Sequence, residues 1–145
     1  MRRLLVGTDG SESGVRAVDL AARTALEQQA DLWIVNVLDQ GRLSASHLDA
    51  LARGESVPRD ELLSSLSAQL LEKAKERAES LGVEEVYLEQ RTGDPVDEII
   101  EFAREIGATT IVVGKRGYAP LTGVILGSIS MRLASIAAIP VIVVP

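Results

Sequence analysis

Leu32 to Leu38 reads LWIVNVL, an almost unbroken apolar run that is too short for a typical helix. Such a run is what a parallel strand looks like when helices cover it on both faces. Three similar runs stand elsewhere in the chain: Leu4 to Thr8, Thr110 to Val113 and Pro140 to Val144. A weaker one, Val83 to Arg91, alternates only partly and is expected nearer a sheet edge. Apolar residues at helical spacing fill the intervals, so strand and helix alternate from one end to the other. That order predicts an α/β fold: an open, Rossmann-like five-stranded parallel sheet with helices on both faces.

The intervals carry their own boundaries. DGSES after the first run is a cluster of turn and cap residues, and Val15, Val18, Ala22 and Ala25 follow it at helical spacing. Leu62, Leu66, Leu70, Ala74 and Ala78 recur every fourth residue and stop before Leu81-Gly82. Asp94 caps a third helix and Pro95 opens it. Its stripe is Val96, Ile99, Ile100, Ala103 and Ile106, with Gly107 closing it. Ile129, Met131, Leu133, Ala134 and Ile136 fit a buried last helix. Asp39 to Arg59 follows no pattern and is expected as a flap or a short helix; its His47, the sole histidine, has no partner for a metal site and reads as a solvated surface residue.

The segment from Gly114 to Ser130, GKRGYAPLTGVILGSIS, leaves a β-branched strand and enters a helix, the place where anions bind. Its spacing is Gly114-x2-Gly117-x9-Gly127-Ser128. A phosphate reaches main-chain N–H groups only where side chains do not block it and the backbone can take positive φ, which is what glycine supplies. Ser128 and Ser130 add hydroxyls at the helix start, and Arg116 and Lys115 add charge. Lys115 reads as an exposed cation and is left out of the candidate set. At the other strand ends, Thr8 and Asp9 follow the first run and Asn36 to Asp39 end the second. Asn36, polar in an apolar strand, reads as a satisfied structural group.

Composition removes several function classes. With 21 acidic against 15 basic residues and a net charge of −6, the chain offers no basic field for nucleic acid. Its 3% aromatic content leaves no series of stacking platforms for single strands. No apolar run approaches the length of a membrane span. The absence of cysteine, with no leader pattern at the start, points to a cytoplasmic protein. The first loop, GTDGSES, lacks the G-x-G-x-x-G of dinucleotide folds, and no Walker loop is present. A phospho-receiver domain needs an acceptor Asp on the third strand, where this chain has Gln90-Arg91-Thr92. No nucleophile, base and orienting acid form a recognisable set.

LLVGTDGS, GDPVDEII, VVGKRG, LGSIS and IPVIVVP, taken together, make the whole chain resemble the universal stress protein family in its small, single-domain, nucleotide-binding form. The long loop matches that family's G-x2-G-x9-G-[S/T] motif without a gap. The resemblance implies one domain over residues 1–145, strand order 3-2-1-4-5, and ATP as the ligand, with Mg2+ as a candidate companion. It implies that Asp9, beside Thr8, and the main chain around Val37 face adenine and ribose. Gly114, Arg116, Gly117, Gly127, Ser128, Ile129 and Ser130 would line the phosphate side, and Val113 is a further candidate contact for the nucleoside. It also implies a homodimer through the C-terminal strand.

Three functional classes stay open at this point: a nucleotide-binding regulator of the stress response, acting through a protein partner; a slow ATPase or self-phosphorylating protein with Ser128 or Ser130 as acceptor; and a dimeric scaffold with a vestigial loop.

Overall fold

The computed structural model describes residues 1–38, 59–115 and 128–145. The elements are β1 (Arg3–Gly7), α1 (Glu12–Gln28), β2 (Asp31–Leu38), α2 (Arg59–Ser80), β3 (Val86–Thr92), α3 (Pro95–Ile106), β4 (Thr110–Gly114), α4 (Ser128–Ile136) and β5 (Val141–Val144). All strands are parallel and lie in the order β3-β2-β1-β4-β5. The fold read from the alternation and from the resemblance is the one found. Because β1 has β2 on one side and β4 on the other, the connections diverge there and leave a crevice outside the carboxyl ends of β1 and β4.

Alternation along each strand divides the core in two. Leu4, Val6, Ile34 and Val112 meet Ala17, Ala21, Leu71 and Ala78 of α1 and α2 on one face. Leu5, Val35, Ile111 and Val113 meet Ile99, Phe102 and Leu133 of α3 and α4 on the other. The boundaries follow local chemistry. Ser11 caps α1 by accepting from the Gly14 N–H, and Asp94 caps α3 by accepting from the Asp97 N–H at 3.0 Å. Pro95 opens α3, and Gly107 ends it in the left-handed region at φ 65°, where glycine escapes the Cβ clash.

Three details depart from the expected pattern. Val83 is buried in the turn after α2, and β3 begins only at Val86. The Leu62, Leu66, Leu70 series marks a helix but not its buried line. α2 buries Leu63, Ser67 and Leu71 along with the expected Ala78 and leaves Leu66 47% exposed, because the buried Ser67 hydroxyl has a polar partner on β2. The last helix is also one-sided rather than buried. α4 encloses Ser130 and Leu133, while Met131 and Ile136 face out; among the described elements its main packing partners are α3 and β5.

Candidate functional site

At the end of β1 the Thr8 N–H donates to the Val35 carbonyl at 3.1 Å, the last rung before the chain turns. Asp9 Oδ1 accepts from the Ser11 N–H at 2.9 Å, and Thr8 Oγ1 accepts from the Gly10 N–H at 3.3 Å, so two side chains fold the turn back on itself. Gly10 sits at φ +80°, a conformation costly for any other residue, and Leu70 of α2 lies over it, 2.9 Å from where a Cβ would stand. A Cβ on Gly14 would meet Thr8 Oγ1 at 2.8 Å and Asp9 Oδ1 at 2.9 Å. Glycine at that place lets both oxygens rest on the first turn of α1. Sequence reasoning missed Gly14, although a glycine in the first turn of an otherwise alanine-rich helix was a visible signal.

Asn36 is buried, and its amide is bonded at both ends: Nδ2 donates to the Thr8 carbonyl at 2.8 Å and Oδ1 accepts from Ser67 Oγ at 2.6 Å. The reading of Asn36 as a satisfied structural group holds. The next residue, Val37, has a definite backbone orientation. The Val35 carbonyl points toward β1, and successive peptide groups along a strand alternate sides, so the N–H and C=O of Val37 point to the same side, just past the end of β1.

The end of β4 meets this turn from the other side. Val113 is buried in the core against α3 and α4. A Cβ on Gly114 would stand 2.6 Å from Ser13 Oγ and 2.9 Å from the Gly14 nitrogen, so α1 approaches this strand as closely as a glycine permits. The Lys115 N–H donates to the Val144 carbonyl at 2.6 Å, continuing the ladder with β5. Ser130 Oγ donates to the Lys115 carbonyl at 3.3 Å, which joins the first turn of α4 to the end of β4. Ser128 is the first helical residue and exposed; the Ile129 side chain packs into the core. Arg132, one turn on, pairs with Asp94 at 3.1 Å and ties α4 to the cap of α3. The hydrogen bond from Arg132, with that from the Asp97 N–H, holds the Asp94 carboxyl below its ordinary range.

Of the residues singled out in the sequence, Thr8, Asp9, Val37, Val113, Gly114, Ser128, Ile129 and Ser130 all lie on the carboxyl side of the sheet. Arg116, Gly117 and Gly127 lie outside the described residues, as does His47. Among the described residues no three His, Cys, Asp or Glu side chains gather as a metal set, and no helix is long and apolar enough to cross a membrane. An apolar hollow of about 160 Å³ lies at the opposite edge, between the turns that precede β4 and β5, remote from these groups. Around the ends of β1 and β4, the described residues present main-chain N–H and C=O, short hydroxyls and the Asp9 carboxylate, a chemistry suited to binding.

These features define a doubly wound α/β domain whose strand order reverses at β1, the place where folds of this class bind ligands. The universal stress protein family model matches residues 1–145, and the chain belongs to that family. Universal stress protein YxiE of Bacillus subtilis is 35% identical, the alignment covering 98% of this chain and 97% of the relative. A crystal structure of a universal stress protein in complex with cAMP is 29% identical, with a TM-score of 0.70 and coverage of 99% and 95%. Universal stress protein UspA from Lactobacillus plantarum, 24% identical, has the same fold, with a TM-score of 0.79 and coverage of 99% and 97%.

Proposed function

We propose that the chain is an ATP-binding member of its family that acts as a nucleotide-responsive regulator. The observation that carries this reading is the hydrogen bond from Ser130 Oγ to the Lys115 carbonyl. It brings the two ends of the 114–130 segment together, and Gly114 is packed against Ser13 and Gly14 in the first turn of α1, the turn on which the Thr8 and Asp9 side chains rest. Adenine and ribose would meet Asp9 and the main chain of Val37. The phosphates would meet the backbone of Gly114, Gly117, Gly127 and Ile129, the hydroxyls of Ser128 and Ser130, and Arg116, with Mg2+ as companion. A second reading takes a single-phosphate adenine nucleotide as the ligand, and it is favoured by the 29% identical relative solved with cAMP.

Calorimetric titration with Mg-ATP, cAMP, AMP and GTP separates them, once carried-over nucleotide has been removed. ATP is expected to bind most tightly, and Gly127→Val to weaken it by about a hundredfold, since a side chain there displaces the phosphate from the helix start. Tighter cAMP binding establishes the second reading. No binding by any of the four overturns both and leaves the scaffold reading.

We further propose that the regulator is a dimer through β5, an edge strand whose outer backbone groups have no neighbour within the sheet. The Lys115 N–H bond to Val144 makes the start of the long segment part of that edge ladder, a direct route from ligand to interface. Light scattering should find a wild-type dimer that ATP tightens and an Ile142→Lys variant that is monomeric. A dimer that survives Ile142→Lys puts the interface elsewhere, and a dimer indifferent to ATP removes the regulatory coupling.

A further inference from the structure

Asn36 lies in an otherwise unbroken apolar run, where an amide is costly unless both ends are bonded. Its partners explain its place. In a continued parallel ladder, the Thr8 carbonyl would accept from the Val37 N–H, because Thr8 already donates to Val35. The β1–β2 pairing instead stops at Gly7 and Val35, while β2 continues beside β3 as far as Leu38. Beyond the stop, the Asn36 side chain supplies a donor to the Thr8 carbonyl at 2.8 Å. The amide cannot swing away, since Ser67 Oγ holds its other end at 2.6 Å and the two residues are 6% and 2% exposed. The same helix face lays Leu70 over Gly10. One amide therefore occupies the Thr8 carbonyl, which the ladder would have given to the Val37 N–H, at the point where β1 leaves the sheet and the Asp9 turn begins.

We infer that Asn36 is a positioning residue for the nucleoside half of the site, held by Ser67 and acting through Thr8 and Val37. The inference rests on the adenine-nucleotide reading above. A purely structural amide would affect stability and leave recognition alone, so affinity and stability have to be read separately. Asn36→Leu removes both hydrogen bonds at similar volume. Asn36→Asp keeps the acceptor for Ser67 but turns a carboxylate toward the Thr8 carbonyl. Ser67→Ala removes only the outer bond. Leu71→Ala, a buried position on the same helix that touches neither Thr8 nor Asn36 by hydrogen bond, serves as the stability control.

For each protein, Kd for ATP, AMP and cAMP is measured by calorimetry alongside the thermal midpoint. Both Asn36 variants should bind all three nucleotides about tenfold more weakly, by a common factor, because the lost geometry lies on the nucleoside side and not on the phosphates. Ser67→Ala should lose roughly threefold, and Leu71→Ala should melt earlier with unchanged Kd. The inference is overturned by Kd values within about twofold of wild type in the Asn36 variants, by a loss that grows with the number of phosphates, or by an equal loss in Leu71→Ala. If neither Asn36 variant folds, Ser67→Ala decides by the same criteria. A wild-type protein that binds none of the three overturns the nucleotide reading itself, an outcome distinct from wild-type binding that the variants retain.

Discussion

The two sides of the crevice are built by different means. On the side proposed for the nucleoside, Thr8, Asp9 and Val37 are ordinary residues at strand ends, and the Thr8 carbonyl is held by buried side-chain hydrogen bonds through Asn36 and Ser67, far apart in sequence. On the side proposed for the phosphates, a glycine and a helix start do the positioning, with the Ser130 hydroxyl joining them. A site for a phosphate needs N–H groups and space, which glycine spacing announces. A site for a base needs one peptide edge turned the right way, which depends on where a neighbouring strand stops.

The largest expected effect that sharpens this contrast is at Gly114, where the two sides touch. Gly114→Ala puts a Cβ 2.6 Å from Ser13 Oγ and 2.7 Å from the Ser13 carbonyl carbon, and the backbone of a helix turn cannot yield cheaply. The variant should lose about 2 kcal/mol, lowering the thermal midpoint by roughly 4–8 °C, and should bind ATP poorly as α1 is pushed from β4. Unchanged stability would mean that the close approach of α1 does not constrain the site, and that glycine there serves the phosphate side alone. Gly127→Val, by contrast, should cut affinity with little change in melting.

The smallest effect concerns how α4 is anchored. The Asp94 carboxyl is held below its ordinary value first by the Arg132 hydrogen bond and then by the Asp97 N–H. A depressed folded-state pKa gives stability that is present above the unfolded value, about 3.9, and is lost as the pH falls through the lower folded-state value. Both groups are substantially exposed, so the contribution is modest. Urea midpoints of wild type should exceed those of Asp94→Asn at neutral pH, and the gap should close on acidification below about 4. A gap that stays constant across that range would show that the pair does not anchor α4, leaving the Ser130 bond to Lys115 as the hold on the phosphate side.

Much of the molecule was legible before any fold was known. Strand alternation, the Asp94-Pro95 start and Gly107 end of α3, and the satisfied state of Asn36 were all readable, since each depends on residues close in sequence or on a polar group that cannot stay buried unpaired. The buried line of α2 was not. Counting apolar residues selects Leu62, Leu66 and Leu70, while the fold turns Ser67 inward because Asn36 is there to receive it. The last helix was over-read for a related reason: its apolar residues cover most of its circumference, but it packs on one side, and Ile136 is left 57% exposed. Gly14 escaped notice because its meaning lies in oxygens of Thr8 and Asp9 that only the folded turn brings against it.

The sequence by itself determined the architecture and the glycine spacing of the long segment. Hydrophobic period and cap chemistry are local, and a parallel sheet covered on both faces is the arrangement that buries such strands. The tertiary structure alone decided which peptide edge faces the crevice. That outcome depends on β1 stopping one rung short of Val37 and on an amide from β2, braced by α2, taking the carbonyl that the ladder would have used, and no local pattern encodes a contact among three elements so far apart in the chain.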